Sequence, residues 1–258
     1  DSHSSHISSF EVLDRLIQIL EAKRRKTFPN LGRIAVAGFS AGCQLVSRWA
    51  FFSPSYADGA RIVVSDCNTY TFPGLRRPKK ACRANTTYVP VNPIRLCSPG
   101  NFFDPRPFGH AGYNDYKYGT DLRNTNTAPG QYSYLREYKD DPGKLSSQLG
   151  VFKKRDVRFI LGTLDVCNCN KGWSLQGQDT NCQTSGCRYS CCDTGSKHRV
   201  VDVSDPAVLQ GANRLQRGIN YISYLHTEGM YAPYDTFIGG HEFAKFISSS
   251  AFKRWMLQ

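Results

Sequence analysis

The sequence predicts an α/β fold, a mostly parallel sheet with covering helices, and three observations carry that expectation. Residues 34–37 (Ile-Ala-Val-Ala) form an unbroken apolar run, as found in strands buried on both faces of a parallel sheet. Further strand signals at Asp156–Gly162 and Tyr234–Ile238 alternate with stretches of helical periodicity. The turn Gly38-Phe39-Ser40-Ala41-Gly42 joins the first strand directly to the helix-like stretch 43–50, the strand–turn–helix order of an α/β unit.

Taken in order, Ser8-Ser9-Phe10-Glu11 has the form of a capping box and opens a helix. Its residues Leu13, Leu16, Ile17 and Leu20 share one face, which is expected to cover the sheet. Lys23-Arg24-Arg25-Lys26 closes that helix, where cations complement the negative end of the helix dipole. After the turn at Ser40 comes a long excursion, 66–156, rich in Asn, Pro, Gly and Tyr and far longer than a simple crossover. It reads as a lid or cap, with Tyr113, Tyr116, Tyr118, Tyr132, Tyr134 and Tyr138 as aromatic walls or packing anchors. The strand at 156–162 runs into Thr163-Leu164-Asp165, and a cysteine-rich insert follows at 166–206. Val208, Ala212, Leu215, Ile219 and Ile222 recur at helical steps, predicting a second covering helix over 207–226. The last strand leads into Gly239-Gly240-His241, and 243–257 is expected to form one closing helix. No internal repeat or low-complexity tract interrupts 1–258, which reads as a single domain.

A serine at the bend of a G-x-S-x-G turn is forced into strained backbone geometry, with its hydroxyl lifted above the sheet edge. The plainer alternative is a tight turn whose serine caps the following helix, and the apolar strand before it favours the nucleophile. Ala41 N–H, at the start of that helix, is the natural oxyanion donor. A serine hydroxyl needs a base and a group to orient that base. His241, in its glycine-bordered loop, supplies the base, ahead of His226 at a helix end and His198 in the insert. Asp165 supplies the orienting carboxylate, ahead of Asp179, Asp193, Asp202 and Asp205, because it directly follows a strand signal.

The chain order Ser40, Asp165, His241, each after a strand, resembles the α/β-hydrolase superfamily. The segments 8–14, 28–31, 38–42, 113–119, 210–214 and 217–218 are similar to a poorly characterised microbial branch of it. The resemblance implies a sheet whose later strands are 33–38, 61–65, 157–161 and 235–238, that is, the C-terminal portion of an α/β-hydrolase fold. It also implies further strands ahead of the elbow strand and a loop there that supplies a second oxyanion donor. Residues 1–32 spell one helix instead, so an N-terminal segment is expected to be missing and to be required for a complete sheet.

The net charge of +12 owes much to the run 23–26 and to Arg76, Arg77, Lys79, Lys80 and Arg83, a loop read as solvated. No nucleic-acid partner is expected, and no apolar run is long enough to span a bilayer. Ten cysteines are too many for an ordinary cytosolic enzyme. Cys167, Cys169, Cys182, Cys187, Cys191 and Cys192 read as a disulfide-stapled insert whose connectivity stays open, with zinc ranked lower for want of knuckle spacing. Cys82 and Cys97 are a plausible further pair, while Cys43 and Cys67 are either reduced or paired with each other. With the sequon Asn85-Thr86-Thr87, the cysteines favour a secreted or secretory eukaryotic protein. No cofactor or metal is called for, and the expected partner is a small-molecule or polymer-borne acyl substrate. The expected function is a serine hydrolase of carboxylic esters through Ser40, His241 and Asp165. Alternatives are an inactive hydrolase-fold binding or adhesion protein, or a wall-associated protein that binds an anionic polymer.

Overall fold

The computed structural model describes residues 7–24, 26–79, 82, 96–125, 133–166, 201–202 and 204–257. Helix α1 (Ser9–Lys23) opens at Ser8, whose Oγ accepts from Phe10 N at 3.2 Å. Phe10 and Ile17 are buried and Leu13 and Leu20 half-buried, but Leu16 is 51% exposed, so the apolar face is narrower than its periodicity implied. The helix packs mainly on α2 (Ala41–Phe52) and the 3₁₀ turn Tyr56–Gly59, forming a second layer rather than direct sheet cover. Asp14 fixes that layer, accepting from Trp49 Nε1 at 2.7 Å, Ser53 Oγ at 2.9 Å and Tyr134 OH. A buried carboxylate is tolerated only when so satisfied.

Strands β1 (Ile34–Phe39) and β2 (Ala60–Ser65) pair in parallel on either side of α2 in the chain. The excursion then forms a short antiparallel ribbon, β3 (Arg77–Pro78) with β4 (Phe102–Phe103), followed by α3 (Arg136–Asp140) and α4 (Pro142–Phe152). Helix α4 packs on α2 and returns the chain to β5 (Asp156–Gly162). Helices α5 (Asp205–Val208) and α6 (Arg214–Thr227) precede β6 (Tyr234–Phe237), and α7 (Phe243–Ser248) and α8 (Ser250–Leu257) follow it. The four-stranded sheet is parallel throughout, in the order β1-β2-β5-β6, so the fold class is α/β as expected. Among the described residues β1 pairs only with β2, and Ala37 on it is exposed.

The two faces of the sheet carry separate cores. Ile34, Ile62, Val64, Val157, Phe159 and Leu161 join the larger one, closed by Trp49 of α2 and Ile222 and Leu225 of α6. Val63 and Ile160 point the other way, against Phe237, Phe246, Ala251 and Trp255. Fully burying side chains such as Trp49, Phe51, Phe52 and Phe159 stabilises the fold by roughly 1.5–3 kcal/mol each. Arg61 ties the smaller core to the sheet, pairing with Asp156 at 3.0 Å and donating to Trp255 O at 2.9 Å.

Both long C-terminal helices expected from periodicity are divided. The stretch 207–226 breaks because Asn213 caps a fresh helix, its Oδ1 accepting from Gln216 N at 2.9 Å. Gln210 meanwhile pairs both ways with the Tyr70 backbone at 2.8 Å, holding the break against the loop after β2. The stretch 243–257 breaks at Ser249, which leaves helical geometry and whose Oγ accepts from Phe252 N at 3.1 Å. Periodicity registers the apolar face of a helix and is blind to caps inside it.

The loop of basic residues after β2 is not simply solvated. Arg76 pairs with Glu228 at 2.8 Å. Arg77 is wholly buried, its guanidinium lying over the Phe72 and Tyr113 rings, at 4.6 and 5.0 Å from their centroids. It donates to the carbonyls of Gly74, Arg76, Tyr113 and Tyr118 and to Asn114 Oδ1. Burial pulls its pKa down to about 10, which still leaves it charged at neutral pH, and the fork of donors replaces the water that this charge has lost. Arg77→Lys, which cannot span those acceptors, is expected to destabilise the chain by about 3 kcal/mol, read as a lowered urea midpoint with unchanged slope. Tyr134 and Tyr138 act as packing anchors, bonding to Asp14 and Phe52 O. Arg25, Lys80, Arg83, the sequon at 85–87, Tyr132 and the insert cysteines from Cys167 to Cys192 lie outside the described residues.

Candidate active site

Each strand of the parallel sheet ends at a polar side chain, and the four converge at its carboxyl edge. They are Ser40 after β1, Asp66 after β2, Asp165 past β5 and His241 past β6.

Ser40 sits at the N-terminus of α2 with φ 57° and ψ −117°, strained for a residue with a side chain, while its N–H donates to Ser65 O at 3.1 Å. The strain is imposed by how close β1 and α2 approach. A Cβ on Gly38 would stand 2.3 Å from Gly42 O and 2.9 Å from Cys43 N. A Cβ on Gly42, by contrast, would meet nothing within 4 Å, so only the first glycine of the turn is demanded by contact. A disulfide between Cys43 and Cys67, with Cα atoms 5.0 Å apart, ties the helix after Ser40 to the loop after β2. Its closed loop, of sequence separation 24, contributes about 3.5 kcal/mol in the chain-entropy model. Cys82 and Cys97 form a second disulfide.

His241 Nε2 lies 2.7 Å from Ser40 Oγ, and its Nδ1 lies 2.8 Å from Asp165 Oδ2. These partners assign the tautomer: Nδ1 carries the hydrogen toward the carboxylate, leaving Nε2 to accept from the hydroxyl. The imidazole stacks on Phe39, centroids 4.7 Å apart and planes 27° from parallel, and keeps 27% of its side chain exposed. Phe39, the second residue of the turn, is therefore a wall for the histidine.

Asp165 is 1% exposed. Its N–H donates to Gly162 O at 3.1 Å, its carbonyl accepts from Leu215 N at 3.2 Å, and its Oδ1 lies 3.4 Å from Arg214 Nη1. The carboxylate is thus held from both sides, by a guanidinium and by the imidazole. Of the competing candidates, His226 faces Ala232 O at 3.3 Å and stacks on Tyr231, and Asp202 accepts from Tyr118 OH at 2.8 Å. Asp205 opens α5, and His198, Asp179 and Asp193 lie outside the described residues.

Asp66 escaped the reading of the sequence. It is wholly buried at φ 51°, and its Oδ1 accepts from Gly162 N at 2.9 Å. Burial first, and then the charge of Asp165, push its pKa well above the ordinary carboxylate value. The signal that singled out Asp165, an acid directly after a strand, applies equally to Asp66. Arg214 carried no signal beyond its place in a family-like segment.

Asp66, Asp165 and His241 each bring one ligand atom within 4.8 Å of the others, a grouping compact enough for a divalent cation. Two of these residues are already engaged with each other, however. Nδ1 and Oδ2 face each other directly, and Arg214 supplies positive charge to Asp165.

No protein-family model matches the chain, and no curated protein matches it. Among solved structures, the chain is similar to LpqC, a poly(3-hydroxybutyrate) depolymerase from Bordetella parapertussis, at 14% identity and a TM-score of 0.47. The match covers 94% of this chain and 56% of that one, so the chain spans little more than half the length of the structure it matches.

Proposed function

We propose that this chain is a serine hydrolase of the α/β-hydrolase superfamily acting on carboxylic esters or related acyl substrates. The observation that carries the reading is the line of two short hydrogen bonds from Ser40 Oγ through the His241 ring to Asp165. In that reading His241 Nε2 takes the Ser40 proton as Oγ attacks the acyl carbon, and the imidazolium that forms is balanced by Asp165. Ala41 N–H, next to the strained serine, receives the oxyanion. Nε2–H then protonates the leaving alcohol, and water, deprotonated by the same nitrogen, releases the acid and restores Ser40.

Two disulfides among the described residues favour an oxidising, secretory location, and no helix among those residues is long and apolar enough to cross a membrane. The excursion 66–156 would then shape the acyl pocket of one hydrolase domain. Among the described residues the outer edge of β1 is unpaired, which favours a further segment that completes the sheet and brings a second oxyanion donor. Without such a segment the scaffold would bind an acyl ligand without turning it over, which is the second reading, a catalytically inactive binding or adhesion protein on a hydrolase frame.

A fluorophosphonate probe is expected to label the folded chain at Ser40 in a 1:1 ratio and to fail on Ser40→Ala, with peptide mapping as the readout. No labelling of folded protein, or labelling at another residue, would overturn the assignment. Saturable binding of an ester by folded protein, with neither labelling at Ser40 nor release of product, would mark the second reading.

A further inference from the structure

Resting on that reading of the site, we propose that Asp66 and Asp165 form a carboxyl pair that holds one proton, kept on Asp66. Asp66 is then a positioning residue that leaves Asp165 the single anion behind His241. Two buried carboxylates with ligand atoms within 4.8 Å cannot both ionise without strong mutual repulsion. Their surroundings decide which keeps the proton. Asp165 has Arg214 Nη1 at 3.4 Å and His241 Nδ1 at 2.8 Å, both of which favour the anion. Asp66 accepts one backbone hydrogen bond, from Gly162 N, and its Oδ2 is buried without a partner among the described residues, so burial and the charge of Asp165 outweigh the pull of Arg214 on it. The groups that face it are Asp165, Arg214 and His241 across the site and Tyr70 and Ser65 on its own segment. A proton on Oδ2 removes the cost of an unsolvated charge there.

The pair matters to the chemistry in two ways. Asp66 Oδ1 pins the Gly162 N–H, and Gly162 O accepts the Asp165 N–H, so Asp66 sets the turn from which Asp165 reaches His241. The proton also limits the charge behind the ring. His241 must release its Nε2 proton to the leaving group, and a second anion would hold that proton more tightly. The proton stays on Asp66 through the cycle, and no bond to it forms or breaks.

Linkage gives a sign that does not depend on turnover. Folded Asp66 binds its proton more tightly than the unfolded chain does. Stability from this group is therefore complete below the ordinary carboxylate pKa, about 3.9, and is lost as pH rises through the raised folded value. Asp66→Asn keeps the size, accepts from Gly162 N and donates as the protonated acid does. It should match wild type in stability at low pH and exceed it at neutral to alkaline pH.

The test compares wild type, Asp66→Asn and Asp66→Ala. Asp66→Asn is expected to keep kcat/KM within about threefold of wild type, and Asp66→Ala to lose about tenfold or more. Infrared spectra at pH 7 should show a protonated carboxyl band that Asp66→Asn removes. The proposal is overturned if that band is absent, if Asp66→Asn loses as much activity as Asp66→Ala, or if Asp66→Ala matches wild type. Should Asp66→Ala fail to fold, Asp66→Asn and the infrared band still decide. Should no ester be hydrolysed, the hydrolase reading falls, while the band and the pH dependence of stability judge the carboxyl pair separately.

Discussion

Ser40→Ala and His241→Ala should each lower kcat toward a nitrophenyl ester by about 10^4- to 10^6-fold, and the double variant should lose no more than the worse of the two. The expectation follows from geometry. Ser40 Oγ and His241 Nε2 stand 2.7 Å apart, so in the proposed mechanism the ring nitrogen is within reach of the serine proton. Removing either side chain ends the same step, and removing the second takes away nothing further. Asp165→Asn should cost less, about 10^3- to 10^4-fold, because the amide favours the wrong imidazole tautomer yet leaves serine and histidine in contact. It also removes the charge that Arg214 meets at 3.4 Å, so its melting temperature should fall while that of Ser40→Ala should not. Single-turnover kinetics alongside thermal melts separate the two effects. Losses that multiply across the double variant would mean that Ser40 and His241 act independently, and the shared mechanism would be abandoned.

Much of the frame was legible because parallel strands buried on both faces are written as apolar runs. The strands expected at 33–38, 61–65, 157–161 and 235–238 are observed within a residue of those bounds, at 34–39, 60–65, 156–162 and 234–237. Helix interruptions were not legible, since Asn213 and Ser249 act through side-chain caps that leave the apolar spacing intact. Arg77 was read as solvated because sequence distinguishes charge from neutrality but not a wet loop from a ring of carbonyls closed around it. The closeness of Ser40, His241 and Asp165 could be anticipated from strand ends alone, as parallel strands deliver their C-termini to one edge. Asp66 obeys the same rule, but an acid directly after a strand is equally common as a plain turn former, so its position alone does not mark it. That two acids meet behind one histidine is a matter of register, β2 beside β5 and Ser65 level with Ile160, which no single segment encodes.

Gly38→Ala should destabilise the chain by about 3 kcal/mol or more and lower kcat by about 10^2-fold, while Gly42→Ala should leave both near wild type. The two glycines look equivalent in the sequence, flanking Ser40 on either side. Their surroundings differ. A Cβ on Gly38 would lie 2.3 Å from Gly42 O, 2.6 Å from Gly42 C and 2.9 Å from Cys43 N. All three are backbone atoms of the first turn of α2, which no rotamer change can move aside, so helix and strand must separate. That separation shifts Ser40, whose N–H is held to Ser65 O at 3.1 Å and whose Oγ must stay within reach of His241. The Cys43–Cys67 disulfide resists the same movement and turns it into strain. Gly42 is already helical with open space at its Cβ, and alanine there gains up to about 1 kcal/mol of helix propensity. Urea unfolding and esterase assays on both variants check the contrast. Equal sensitivity at the two positions would mean that the close approach of α2 to β1 is not what holds the serine in its strained geometry.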